Sequence, residues 1–177
     1  MTATAPIDRR SAVLASALYT FARFGYRKTS MEEIAQAAQI SRPGLYFLFD
    51  SKEQLFRAAV AQALEEDVVE VERVMAEHAV PLRDRLMHSF DRWAGRYVGP
   101  MTRDIQAVID ENPRLLGDMI DLYPRRFAKS IARAIVGPDG DALTQTLISV
   151  SIGIKHQVDE REQYRERFAV ALDLLLR

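Results

Sequence analysis

The sequence predicts an all-α protein, on three observations. Its Val and Ile residues recur at the 3.6-residue spacing of helices and not in strand alternation. Its prolines and glycines fall between segments of helical length. A serine followed three residues later by Glu or Gln, a pattern with which a helix start satisfies its free amides, occurs at Ser30-Met-Glu-Glu33 and at Ser51-Lys-Glu-Gln54. The expected architecture is an N-terminal three-helix head containing a helix-turn-helix, joined by a long helix to a C-terminal helical body, with about nine helices in all.

Met1–Pro6 reads as a loose tail. An apolar stripe of Ala12, Leu14, Ala15, Leu18, Phe21 and Ala22 predicts the first helix, which ends at Gly25, a suitable C-terminal cap. Ser30 starts a short second helix to about Ala38, its hydroxyl accepting from the Glu33 amide while the Glu33 carboxylate accepts from the Ser30 amide. Gln39-Ile40-Ser41 is a three-residue turn, and Ser41 caps a third short helix from Arg42 to Leu48. Ile34, Ala35, Ala38, Ile40, Leu45 and Phe49 are spaced to bury between three helices and to hold the third one outward. Ser51 opens a long helix with apolar positions at Leu55, Phe56, Ala59, Val60, Ala63 and Leu64, expected to reach His78, about 39 Å at roughly 1.5 Å per residue. Breaks near Pro81, Gly99-Pro100, Asn112-Pro113, Gly137-Pro138 and Val158-Asp159 divide the remainder into about five helices. Pro124 lies in an otherwise helical stretch, where it either separates two helices or kinks one by removing a backbone donor.

With 177 residues, 48% hydrophobic and 28% charged, the chain can bury a sizeable core. No apolar run approaches the roughly 20 residues that span a bilayer, and Met1 to Pro6 lack a secretory signal, so no membrane partner and a cytoplasmic location are expected. Cysteine is absent, which removes disulfides, thiolate metal sites and redox sensing by cysteine. The net charge of −1 conceals a split: residues 1–60 carry eight Lys/Arg against five Asp/Glu, the rest sixteen against twenty. A basic front on an acidic body fits a nucleic-acid-binding head, although a solvated surface explains it equally well.

The run Thr29-Ser-Met-Glu-Glu-Ile-Ala-Gln-Ala-Ala-Gln-Ile-Ser-Arg-Pro-Gly-Leu-Tyr-Phe-Leu-Phe-Asp-Ser-Lys-Glu-Gln-Leu55 closely resembles the pattern of the TetR family of bacterial transcriptional regulators: threonine, Ile-Ala, Ala-Gly-Val-Ser, Leu-Tyr, Phe and Ser-Lys-Glu-x-Leu. The resemblance covers about residues 10–60. It implies a DNA-binding helix-turn-helix domain over residues 1–51 and a ligand-binding and dimerisation domain over residues 52–177. Three departures stand out. Gln39 replaces the usual turn glycine, which costs on the order of 1 kcal/mol if that residue is left-handed. Pro43 and Gly44 weaken the third helix, and proline's missing amide directs the Ser41 cap to Gly44. Phe47 and Leu48 stand where relatives often carry polar or Tyr/His residues, so base readout is expected to rely on apolar contact with thymine methyls.

The outward face of the third helix offers Arg42, Pro43, Gly44, Tyr46 and Phe47 to a major groove. Arg42 is placed to donate to guanine N7/O6 or to phosphate, or else is a solvated arginine. Tyr46 is a phosphate donor or a packed aromatic. Thr29, Ser30, Ser41 and Lys52 sit at helix N-termini, where phosphate is favoured, though Ser30 and Ser41 serve equally as caps.

In the body, Phe90, Trp93 and Tyr97 recur on one segment and Met119, Tyr123 and Phe127 on another. With Met101 and Ile105 as a wall, they either line a small-molecule pocket between helices or form plain core. His88, Arg92, Arg96 and Arg126 are candidate polar contacts or solvated charges. By the resemblance, the last two helices, with Leu147, Val150, Ile154, Tyr164, Phe168 and Leu172, pair with their two-fold copies as a four-helix bundle, Gly153 permitting close approach.

The implied function is a homodimeric, ligand-responsive repressor that grips a near-palindromic double-stranded DNA operator and is released by an unidentified small-molecule effector. No cofactor, metal site or catalytic group is expected: His78, His88 and His156 are widely separated, and no Gly-rich phosphate loop or Ser/His/Asp pattern occurs. The rival reading is a helical binding or scaffold protein that has lost specific DNA binding.

Overall fold

The computed structural model describes residues 6–99 and 113–176. Met101 and Ile105, expected in a pocket wall, lie outside the described residues. Among those described, all regular structure is helical: α1 (Pro6–Phe24), α2 (Met31–Ala37), α3 (Arg42–Leu48), α4 (Lys52–Met75), α5 (Leu82–Trp93), a single 3₁₀ turn (Gly95–Tyr97), a one-turn α6 (Pro113–Leu116), α7 (Met119–Ala134), α8 (Gly140–Lys155) and α9 (Arg161–Leu175). Among the described residues no helix is long and apolar enough to cross a membrane.

The described residues divide into two compact units, 6–64 with 113–117 and 65–99 with 118–176, the first boundary falling inside α4. In the first unit, Val13, Leu14, Ala17, Phe21 and Ala22 of α1 are buried, as are Ile34, Ala35, Leu45, Phe49, Leu55, Phe56 and Ala59. The expected α1 stripe is therefore shifted: Ala12 and Ala15 face solvent, and Val13 and Ala17 take their places. Phe21, Tyr26 and Phe56 form an aromatic triangle with centroids 5.0 to 5.6 Å apart. Gly25 ends α1 in the left-handed conformation, its amide donating to the Phe21 carbonyl at 2.9 Å.

In the second unit, Leu86 and Phe90 of α5, Phe127 and Ile131 of α7, Leu147 and Ile154 of α8, and Tyr164, Phe168 and Leu172 of α9 make one core. The long helix α4 stops at Met75, short of His78, and Arg85 closes its end. That guanidinium, almost wholly buried, donates to the Met75 carbonyl at 2.6 Å, at a helix end where carbonyls lack amide partners, and to the Val80 carbonyl of the following connection at 3.0 Å. Helix α7 runs unbroken through Pro124, whose ring faces solvent.

The dimer-seam assignment needs correction. Leu147, Ile154, Tyr164, Phe168 and Leu172 are buried within a single chain, and Val150 is half-buried. Tyr164 in particular is spent on interior hydrogen bonding, its hydroxyl 2.7 Å from Ser151 Oγ and 3.3 Å from the Phe90 carbonyl. The large apolar side chains that α8 and α9 leave exposed are Ile152, Val170 and Leu174, each more than half accessible. Apolar spacing alone does not say which of two faces of a helix meets its own subunit.

Candidate nucleic-acid interface

Helix α2 begins at the capping box read from the sequence. The Glu33 amide donates to Ser30 Oγ at 3.2 Å, while Glu33 Oε2 accepts from the Ser30 amide at 2.6 Å and from the Ser30 hydroxyl at 2.8 Å. Those bonds to the ionised form hold the Glu33 carboxyl below its ordinary value. The helix ends with the Gln39 amide donating to the Gln36 carbonyl at 3.1 Å and the Ile40 amide to the Ala35 carbonyl at 3.0 Å, with Gln39 left-handed at φ 54°. This is the paired closure that glycine usually serves, achieved here by a side chain whose amide stays in solvent.

Ser41 caps α3 by accepting from the Gly44 amide at 3.1 Å, as proline at the second helical position requires. A Cβ on Gly44 would stand 3.0 Å from that same Ser41 Oγ, so glycine keeps the cap open. Leu45 and Phe49 are buried and anchor the helix, leaving Arg42, Pro43, Tyr46 and Phe47 outward, Phe47 at 88% exposure. Arg42 lies 5.7 Å over the Tyr46 ring and 3.8 Å from Glu32 Oε2, a loose pairing on an exposed surface. Ala38, Ile40 and Leu48, expected in the core or on the outer face, are half-buried.

Two expected contact residues are engaged internally. Thr29 is 2% exposed and its hydroxyl donates to the Gly25 carbonyl at 2.8 Å. Half-buried Lys52 donates from Nζ to the carbonyls of Tyr26 and Thr29, both at 3.1 Å, and stands 4.6 Å over the Tyr26 ring. Both close the loop between α1 and α2. The second capping box is also rearranged: Ser51 Oγ accepts from Gln54, but the Gln54 side chain takes the Asp50 amide at 2.6 Å.

An open groove of about 520 Å³ runs beside α3, lined by Arg27, Lys28, Thr29, Ser30, Met31, Glu32, Arg42, Tyr46 and Lys52. Four cationic side chains against one carboxylate suit a polyanion. Sequence reading missed Arg27 and Lys28, which lie in a loop with no periodicity to mark them.

The body residues proposed for a ligand mostly pack on one another. Phe127 meets Phe90 edge-on at 5.1 Å and stacks on Trp93 at 4.8 Å. Tyr97 donates its hydroxyl to Asp67 at 2.5 Å, Tyr123 is buried and Met119 is half-buried. The candidate polar contacts are engaged with carboxylates: Arg92 and Arg96 pair with Asp67 at 2.7 and 2.6 Å, His88 Nε2 lies within hydrogen-bonding distance of Glu70 at 3.2 Å, and Arg126 pairs with Glu65 at 2.7 Å and Glu72 at 3.2 Å. Asp67 is fully buried, and loss of water raises its carboxyl despite those cations.

Comparison with known proteins agrees with the geometry of the head. Residues 13–59 match the family of bacterial regulatory proteins, tetR family. The chain is 40% identical over 57 residues to the HTH-type transcriptional regulator RutR of Escherichia coli K12, covering 32% of this chain and 27% of RutR, so it spans about a quarter of that relative's length. It is 30% identical over 80 residues, 45% of this chain and 41% of the relative, to the HTH-type transcriptional regulator YhgD of Bacillus subtilis. Across 98% of both chains it shares its fold with a TetR-family regulator structure from Mesorhizobium loti, at TM-score 0.76 and 20% identity. A capped two-helix turn, an outward third helix and this match over the same residues make one conclusion: residues 13–59 form a helix-turn-helix head similar to that of the tetR family of bacterial regulatory proteins.

Proposed function

We propose that the protein is a DNA-binding transcriptional regulator, residues 1–51 holding an operator and residues 52–177 binding an effector and pairing two subunits. The observation that carries the reading is the exposed face of α3, with Arg42 and Tyr46 set beside the cationic groove. In a two-fold dimer, two such helices enter major grooves roughly 34 Å apart, one turn of DNA. Arg42 donates to guanine or phosphate, Tyr46 to phosphate, and Ser30, Ser41, Pro43, Gly44 and Phe47 complete the contact surface.

The dimer face is the outer side of α8 and α9, carrying Ile152, Val170 and Leu174, with Gly153 beside them, where an added Cβ meets nothing within 4 Å. Repression follows from occupying the operator, and an effector in the body weakens DNA binding by the factor with which DNA weakens effector binding. Helix α4, whose residues belong to both units, is the covalent link through which such coupling passes.

The test is binding to fragments upstream of the protein's own gene, and to a genome-wide fragment library, at two salt concentrations, with Arg42→Ala and Tyr46→Ala alongside. Tight, selective, steeply salt-dependent binding lost in both variants supports the reading. Absence of selective binding in both formats assigns the chain to the scaffold alternative, which the 88% exposure of Phe47 favours.

A further inference from the structure

The recognition helix is unusual in what it presents. At 100° per residue, Phe47 stands about 200° from the buried anchor Leu45 and about 40° from Pro43. Pro43 and Phe47 therefore form the crest of α3, the line farthest from the core, and Phe47 is 88% exposed while Leu48 turns inward. Arg42 and Tyr46 flank this crest on the side of the cationic groove. The polar groups thus border the cationic groove, and the outermost surface is apolar.

An apolar crest cannot hydrogen-bond the donors and acceptors that distinguish most base pairs. The apolar group in the major groove is the C5 methyl of thymine. The same methyl stands at the same ring position in 5-methylcytosine. We infer that Phe47, on the crest it shares with Pro43, determines operator specificity by reading the C5 methyl of pyrimidines, so that thymine is preferred at the contacted position and methylation of a cytosine there strengthens binding. This rests on the DNA-binding reading above. The neighbouring groove supplies the charge complementarity that makes DNA the occupant: Arg42 and Lys28 line it with Lys52, against Glu32.

The test uses the full chain and an operator selected from random duplexes with the unaltered protein. Deoxyuridine replaces thymidine one position at a time in both half-sites, which removes the methyl and keeps the pairing. At one position per half-site, affinity should fall about fourfold per methyl and about 15-fold for the symmetric pair, from the burial of one methyl group each. Phe47→Ala should bind thymine and uracil duplexes equally; at 88% exposure its removal leaves the fold intact, which circular dichroism checks. With a C·G pair at that position, methylating cytosine C5 should tighten wild-type binding by a similar factor and leave Phe47→Ala unchanged. Selective binding that ignores every uracil, or a methyl response that survives in Phe47→Ala, overturns this inference and leaves the regulator reading standing. Phe47→Ala with undiminished DNA affinity also overturns it and assigns the crest to a protein partner. Absence of any selective DNA binding overturns both.

Discussion

The Ile40 amide donates to the Ala35 carbonyl at 3.0 Å, and the chain reaches that bond only by turning through Gln39 at φ 54°. A side chain in the left-handed region costs about 1 kcal/mol relative to glycine, partly offset because glycine loses more freedom on folding. Gln39→Gly is expected to stabilise the protein by about 0.5–1 kcal/mol, read as a raised urea midpoint. An unchanged or lowered midpoint would show that the turn carries no strain.

Lys52 and Arg42 separate a structural role from a contact role. Lys52→Gln loses a charged donor to two carbonyls and should cost about 1–2 kcal/mol of stability. Arg42→Ala, on an exposed side chain, should leave stability within about 0.5 kcal/mol and weaken DNA binding. Equal stability loss in the two variants would contradict this division.

Gly95 is packed where no side chain fits. A Cβ there would lie 2.4 Å from Asp91 Oδ1 and 2.7 Å from the Tyr164 ring. Asp91 is itself held by Arg161 at 2.7 and 2.9 Å and by Arg165 at 3.3 Å. Gly95→Ala should destabilise by about 1–3 kcal/mol through overpacking, seen as a lower thermal midpoint. A neutral result would mean that the Asp91 cluster gives way freely.

For the proposed dimer face, Ile152→Glu and Leu174→Glu should yield folded monomers in sedimentation, with unchanged helical circular dichroism. Tyr164→Ala should lose helical signal instead, because it empties the core. A dimer surviving both glutamates places the seam elsewhere.

Glu70 is held at about 2, chiefly by its hydrogen bond with Arg73 and with His88 adding a smaller contribution. A depressed carboxyl contributes stability above its unfolded value near 4.5 and loses it as pH falls toward 2. Because the Arg73 partner is largely exposed, the size should stay below about 1 kcal/mol. Denaturant stability between pH 5 and 2 should fall less in Glu70→Gln than in the unaltered protein; identical slopes would remove the pair from the acid response.

By itself the sequence determined what depends on neighbours along the chain. The Ser30–Glu33 box, the Ser41 cap to Gly44 and the glycine stop at Gly25 are all set by residues within four positions of each other, where backbone geometry leaves little choice. Tertiary structure decided the rest. Thr29 and Lys52 look like phosphate donors in the sequence, yet their donors are taken by carbonyls of Gly25, Tyr26 and Thr29 once α1 and α4 pack together. On α8 and α9 the apolar residues exceed one face, and only the packing of Phe90 and Phe127 against Phe168 and Leu147 turns Tyr164 and Leu172 inward and leaves Ile152, Val170 and Leu174 outside. Hydrophobic period names a helix and its amphipathic axis, but which side meets its own chain is settled by contacts far away in sequence.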